Sequence, residues 1–122
     1  MARMFALWGG ESRAEFVDLF HPDCEVWPMT GDGPYRGREG VREFLEELDD
    51  NGQVILTEPP ELLARGDTVL ALAHLAVLED GAPSAGALVA WVIDVSDGMV
   101  CRTRPFTDAH SARRTFAAAT AA

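Results

Sequence analysis

The chain has 122 residues, 48% of them hydrophobic and 25% charged, with a formal net charge of −10. That length sets one domain spanning residues 1–122, long enough for one core, and the acidity opposes binding to nucleic acid or to an anionic membrane surface, both of which need basic footprints. Lysine is absent, so arginine carries all the positive charge apart from the histidines, and with the many alanines this suggests a high-GC bacterial source.

Cys24 and Cys101 each lie in an apolar segment and do not make a disulfide framework. They read as reduced, buried thiols in a cytoplasmic protein. No basic segment followed by a long apolar run marks a signal peptide. The longest apolar run, Val69 to Leu78, is too short for a bilayer and contains His74. The three His and two Cys lack ligand spacing, so no metal site is expected. Gly31-Asp32-Gly33 lacks the spacing and the lysine of a phosphate loop, and no cofactor is implied.

In chain order, Ala2 to Trp8 can form a helical turn, stopped by Gly9-Gly10. Glu11 to Phe20 reads as a helix with Phe16, Leu19 and Phe20 on one stripe. His21-Pro22-Asp23 ends it, because the residue before proline is driven out of the α region. Glu25 to Met29 is a short strand, and Thr30 to Tyr35 a Gly/Pro-rich turn. Arg38 to Leu48 is the strongest helix, with Val41, Phe44, Leu45 and Leu48 facing a core. Strands follow at Gln53–Thr57, Thr68–Glu79, Ala85–Val95 and Met99–Thr107, while Glu61 to Ala64 leads into the Arg65-Gly66-Asp67 turn. Asp108 caps a last helix from Ala109 to about Ala118. Helices grouped with a curved sheet predict an α+β fold: a cone-shaped, curved antiparallel sheet wrapped around α-helices.

The run Tyr35-Arg36-Gly37-Arg38-Glu39-Gly40-Val41-Arg42-Glu43-Phe44 resembles the entry to the main helix of nuclear transport factor 2-like domains, in their SnoaL-like and ketosteroid-isomerase-like branch. Gly66-Asp67-Thr68-Val69-Leu70 is similar to that family's opening of its long strand, and Asp97-Gly98 with Val100, Arg102, Arg104, Phe106 and Asp108 to its last hairpin. The resemblance implies the cone-shaped NTF2-like (cystatin-like) α+β barrel and a pocket inside it. It leaves activity open, because this fold hosts enzymes and binding proteins alike.

The family's catalytic positions are filled here by other chemistry. The isomerase general base aligns with Trp27, and an indole cannot abstract a proton. The isomerase oxyanion acid falls at Ala90, or at Val89 or Trp91 one residue to either side, and its tyrosine at Arg3 or Met4. The epoxide-hydrolase Arg and Asp align with Ala73 and Leu75. The final-strand Asp, shared with the cyclases, aligns with Pro105.

Strand alternation then gives the expected pocket. If Ala73 and Leu75 face inward, as the resemblance implies, so do Val69, Ala71 and Val77, and His74 faces out with Leu70 and Leu72. On the last strand Cys101, Thr103, Pro105 and Thr107 face in, with Val100, Arg102, Arg104 and Phe106 outside. On the partner strand either Val89, Trp91 and Ile93 or the alternate set faces in; with the Trp91 set taken, Trp91 joins the pocket, with Trp27, Met29, Tyr35 and Phe44 from the first half of the chain. Such a pocket suits a small apolar ligand. Catalytic residues stay unassigned; His74, Tyr35 and Asp94 are the fallback set for an enzyme, Asp94 otherwise reading as a solvated strand-end residue. Arg102 and Arg104 read as an exposed or dimer-facing basic stripe. The outer face is itself largely apolar, which predicts a homodimer through the convex sheet face.

Overall fold

A computed structural model describes residues 13–28, 33–50, 53–56, 60–79, 82–83 and 86–120. The expected helical turn at Ala2–Trp8 and the pocket candidate Met29 lie outside them. Helix α1 (Arg13–Asp18) leads into strand β1 (Phe20–Val26), then β2 (Tyr35–Arg36) and the long helix α2 (Gly37–Asp50). Strands β3 (Gln53–Leu56), β4 (Glu61–Arg65), β5 (Thr68–Glu79), β6 (Ala82–Pro83), β7 (Ala87–Ser96) and β8 (Met99–Phe106) follow, and helix α3 (Ala109–Thr120) closes the order. The sheet runs β2-β1-β8-β7-β5-β3, with β4 and β6 also paired to β5.

The sheet is mixed rather than purely antiparallel, because β1 runs parallel to β8. β1 also begins at Phe20, where the sequence predicts helix. His21-Pro22-Asp23 does break regular structure, but it does so within a strand. Pairing jumps from Phe20↔Val100 to Glu25↔Arg102, so the proline sits where the ladder is interrupted and needs no N–H. The Asp23 amide instead donates to Nδ1 of His21 at 3.0 Å.

Two clusters fill the two faces of the sheet. On the concave side, Phe16, Val17, Phe20, Cys24, Val26, Val41, Val69, Ala71, Ile93 and Val100 are buried together beneath α1 and α2. On the convex side, Leu70, Ala90 and Val92 pack against Ala112 and Phe116 of α3, with Leu72 and Phe106 at the margin. The apolar outer face that called for a second copy is therefore covered, over this part, by the chain's own last helix.

Val100 corrects the alternation on β8. The register steps from Asp94↔Arg102 to Val95↔Val100, so Cys101 is an extra residue in a bulge. That shifts the facing by one: Val100 enters the inner core and Cys101 turns its thiol to the Asp94 carbonyl at 3.2 Å. Beyond the bulge the expected facing holds, with Thr103 across from Ile93 and Val26 on the inner side.

Two glycines seat α2. Gly37 opens the helix with φ +71°, a backbone region costly for other residues. At Gly40 a Cβ would come within 2.9 Å of the Tyr35 carbonyl carbon, so the absent side chain lets the helix press onto β2. Arg38 then ties the helix to the sheet: its Nε donates to the Phe20 carbonyl at 2.9 Å and its guanidinium reaches the Met99 sulfur at 3.7 Å.

Asp108 caps α3, accepting from the His110 amide at 2.9 Å and the Ser111 hydroxyl at 2.8 Å. The Ser111 hydroxyl first, then the His110 amide, hold its carboxyl below the usual range. A depressed folded-state pKa adds stability that is fully present above the unfolded value of about 3.9 and is lost as pH falls through the folded one. Asp108→Ala is expected to lower the melting temperature at neutral pH, with the gap to wild type closing in strong acid; a gap unchanged by pH would contradict the charged cap. Gly40→Ala should destabilise the fold by about 1–3 kcal/mol in urea denaturation, because overpacking against backbone outweighs the roughly 1 kcal/mol gained in helix propensity. A stabilised variant would show that the helix does not rest on β2.

Candidate functional site

The inner face can be read row by row from the strand register. The deepest row runs Tyr35, Val26, Thr103, Ile93, Val69, Ala64 across β2, β1, β8, β7, β5 and β4. The next runs Pro105, Trp91, Ala71, Leu62, and the third pairs Val89 with Ala73. On β7 and β8 the side chains grow more exposed along this order, while Ala71 and Ala73 on β5 stay buried. Ile93 is fully buried and Thr103 is 7% exposed, Trp91, Pro105 and Val89 are half-buried, and Leu62 at the sheet edge is 37% exposed.

Helix α2 supplies the facing wall. Val41 is buried in the inner cluster, and Phe44, Leu45, Tyr35 and Trp91 are partly buried against it. The Tyr35 and Phe44 rings meet at 5.5 Å between centroids, tilted by 59°. The Tyr35 hydroxyl donates to the Glu47 carboxylate. Aromatic side chains from helix and sheet thus stand around one buried floor, with Thr103 the hydroxyl at depth and the Tyr35–Glu47 pair the polar group on the helix side. Glu47 was not singled out from sequence; its place three residues after Phe44 was the available signal.

Of the expected pocket residues, the structure brings Tyr35, Phe44 and Trp91 onto one cluster. It buries Ala73 and Thr103 and half-buries Leu75 and Pro105. Trp27 stands apart. It is 36% exposed and packs with neither cluster. Its amide bonds the Thr103 carbonyl at 3.0 Å, extending β1, and with Val26 turned inward the alternation sends the indole away from the core.

The inward positions of β1, of β5 from Val69 to Leu75, of β7 and of β8 carry no carboxylate, imidazole or guanidinium. Their one thiol within the core is Cys24, whose pKa burial pushes up. His74 lies on the outer face and is exposed, as alternation predicts. Ala90, aligned with the isomerase acid, belongs to the outer cluster, which leaves Trp91 or Val89 as the inward equivalents.

Asp94 is not a solvated strand end. Its carboxylate accepts from Arg102 Nε at 2.8 Å, from Arg104 at 3.4 Å and from the Thr68 hydroxyl at 3.2 Å. Arg102 and Arg104 are therefore paired within the chain rather than forming a free basic stripe. Burial, then the neighbouring Arg102, lowers the pKa of Arg104, and its buried Nε has no hydrogen-bond partner. The register continues this polar row as Arg36, Glu25, Arg102, Asp94, Thr68, Arg65 across the outer face.

A separate groove of about 130 Å³ opens on the sheet edge between β4 and α3, lined by Glu61, Leu62, Leu63, Leu70, Leu72 and Arg113. No described helix is long and apolar enough to cross a membrane.

The profile of the SnoaL-like domain matches residues 1–103. The chain belongs to the SnoaL-like domain family. No curated protein matches it at a significant level. Solved structures show the fold. TerC co-crystallised with polyporic acid aligns at 20% identity and a TM-score of 0.72, over 93% of this chain and 92% of that one. A protein from Sinorhizobium meliloti named as a candidate polyketide cyclase aligns at 16% identity and a TM-score of 0.69, over 84% and 88% of the two chains. An NTF2-like protein from Anabaena variabilis ATCC 29413 aligns at 20% identity and a TM-score of 0.69, over 84% and 78%. The SnoaL-like chain is thus an NTF2-like α+β domain, as its Tyr35–Phe44 motif implies.

Removing Asp94 should leave Arg102 and Arg104 without their shared carboxylate. Asp94→Ala is expected to cost about 1–3 kcal/mol in chemical denaturation, reduced at high salt because Arg102 is partly exposed. A loss within experimental error of zero would mean the cluster adds nothing to the sheet.

Proposed function

We propose that this SnoaL-like domain binds a small, neutral, apolar metabolite at the mouth of its cone and does not perform the proton-transfer chemistry of its relatives. The observation that carries the reading is the inward rows of the sheet. Half-buried Pro105, Trp91, Val89 and Leu75 offer apolar surface and no acid or base. Partly exposed aromatic side chains over a dry floor are what an apolar ligand needs, with a few polar groups for orientation. Thr103 and the Tyr35 hydroxyl supply those. The positions aligned with the isomerase base, the hydrolase Arg and Asp and the cyclase acid hold Trp27, Ala73, Leu75 and Pro105, which argues against a known family reaction. The acidic chain disfavours an anionic ligand. Its two free cysteines support a reducing, cytoplasmic setting.

A second reading, an enzyme with a different catalytic set, is favoured by the Tyr35–Glu47 contact. It places a carboxylate and a phenol together on the helix wall of the site. The similarity to a candidate polyketide cyclase and to TerC keeps this reading in view.

The two separate by experiment. Native mass spectrometry of gently purified protein should retain a neutral ligand. Nile red, a neutral apolar probe, should bind about tenfold more weakly to Trp91→Ala, while Glu47→Gln stays within about twofold of wild type. Equal binding by Trp91→Ala would remove the proposed site. Turnover of a bound metabolite that Glu47→Gln abolishes would establish the enzyme instead.

A further inference from the structure

β4 is a sheet edge with an unusual content. Glu61-Leu62-Leu63-Ala64-Arg65 pairs with β5 on one side, and among the described residues β5 is its strand partner. All five residues are exposed, and Leu62 and Leu63 are 37% and 43% exposed. An exposed apolar edge strand is a template for pairing with another chain, and proteins that keep a free edge usually blunt it with lysine, proline or a bulge. Here the nearby prolines, Pro59 and Pro60, precede the strand in the sequence.

The hairpin fixes which backbone groups are free. Arg65 and Thr68 close the two-residue turn Gly66-Asp67. In such a hairpin the closing pair exchanges hydrogen bonds, so Arg65, Leu63 and Glu61 direct their N–H and C=O groups to β5. Leu62 and Ala64 direct theirs away from the sheet.

We propose that a second copy of this chain pairs along this edge, β4 antiparallel to β4, about a two-fold axis at Leu63. That register sets Leu62 opposite Ala64 of the other copy, the two residues with outward-pointing groups, and Leu63 opposite itself. It also sets Glu61 opposite Arg65 in both directions. A two-fold interface must be self-complementary, and this strand is so in backbone, in apolar surface and in charge. Moving the axis to Leu62 brings in Pro60, which has no N–H to give; moving it by half a step sets outward groups against inward ones. The groove beside β4, walled by Glu61 and Arg113 over Leu63, Leu70 and Leu72, lies directly along this edge. On the convex face, by contrast, α3 packs over Leu70, Ala90 and Val92, which favours the edge over that part of the face for a second copy. The result is a sheet continuous across two chains, independent of what the cone binds.

Sedimentation equilibrium at tens of micromolar should give twice the chain mass of 13.2 kDa. Leu62→Pro removes an outward N–H without touching the β5 ladder and should yield a folded monomer by circular dichroism. Glu61→Arg should weaken the dimer about tenfold by facing Arg65 with like charge, and Glu61→Arg combined with Arg65→Glu should restore it. If Leu62→Pro fails to fold, the charge reversal and its rescue still decide. A wild-type monomer at that concentration overturns the proposal. So does a dimer that Glu61→Arg leaves intact, since its interface must lie elsewhere.

Discussion

The close approach of α2 to β2 at Gly40 is the constraint on which the rest of the molecule depends. A helix lying inside a curved sheet can fill the concave side or stand away from it, and the side chains at the crossing decide which. With hydrogen at position 40 the helix backbone comes against Tyr35, and Val41 drops into the buried cluster. Arg38 fixes the other end of the contact to β1 and β8. Once α2 is seated, Phe44 and Leu45 must stand over the inner face and Tyr35 must lean on Phe44. The aromatic rim of the site is therefore a consequence of two glycines and an arginine in the same short run.

The two faces of the sheet have been given different work. The inner face is largely apolar from Val69 to Leu75 of β5 and across the facing residues of β7 and β8, with Thr103 its buried hydroxyl. The outer face carries the polar row centred on Asp94 and, beyond it, the patch covered by α3. Separating them this way concentrates the sheet's ion pairs on the outer face, where they serve cross-strand pairing and burial of an unpaired charge is avoided. The stabilising polar network centred on Asp94 thus stands apart from the inner rows.

Much of this was legible in the sequence, because alternation and turn chemistry were consistent over β5, β7 and most of β8. Once the resemblance set Ala73 and Leu75 inward, the facing of His74 and Thr103 followed from period two, and of the two sets open on β7 the favoured one with Trp91 is the inward one. The failures share one cause, local insertions that period counting cannot see. The bulge at Cys101 exchanged the places of Cys101 and Val100, and the interrupted pairing around Pro22 let a strand run through a residue that reads as a stop. Trp27 was assigned inward because a family base aligns there; its neighbour Val26 takes the inward position, and the indole follows to the other side. Asp94 was underrated because its partners, Arg102, Arg104 and Thr68, are distant in sequence and meet only through the register.

The central claim is that an apolar ligand enters the cone at the aromatic rim. Chemical-shift mapping of isotopically labelled protein titrated with a neutral apolar probe such as Nile red tests this most directly. The account predicts perturbations concentrated on Tyr35, Phe44, Trp91 and Thr103. Perturbations confined to Leu63, Leu72 and Arg113 on the outer groove, or none at saturating probe, would contradict it.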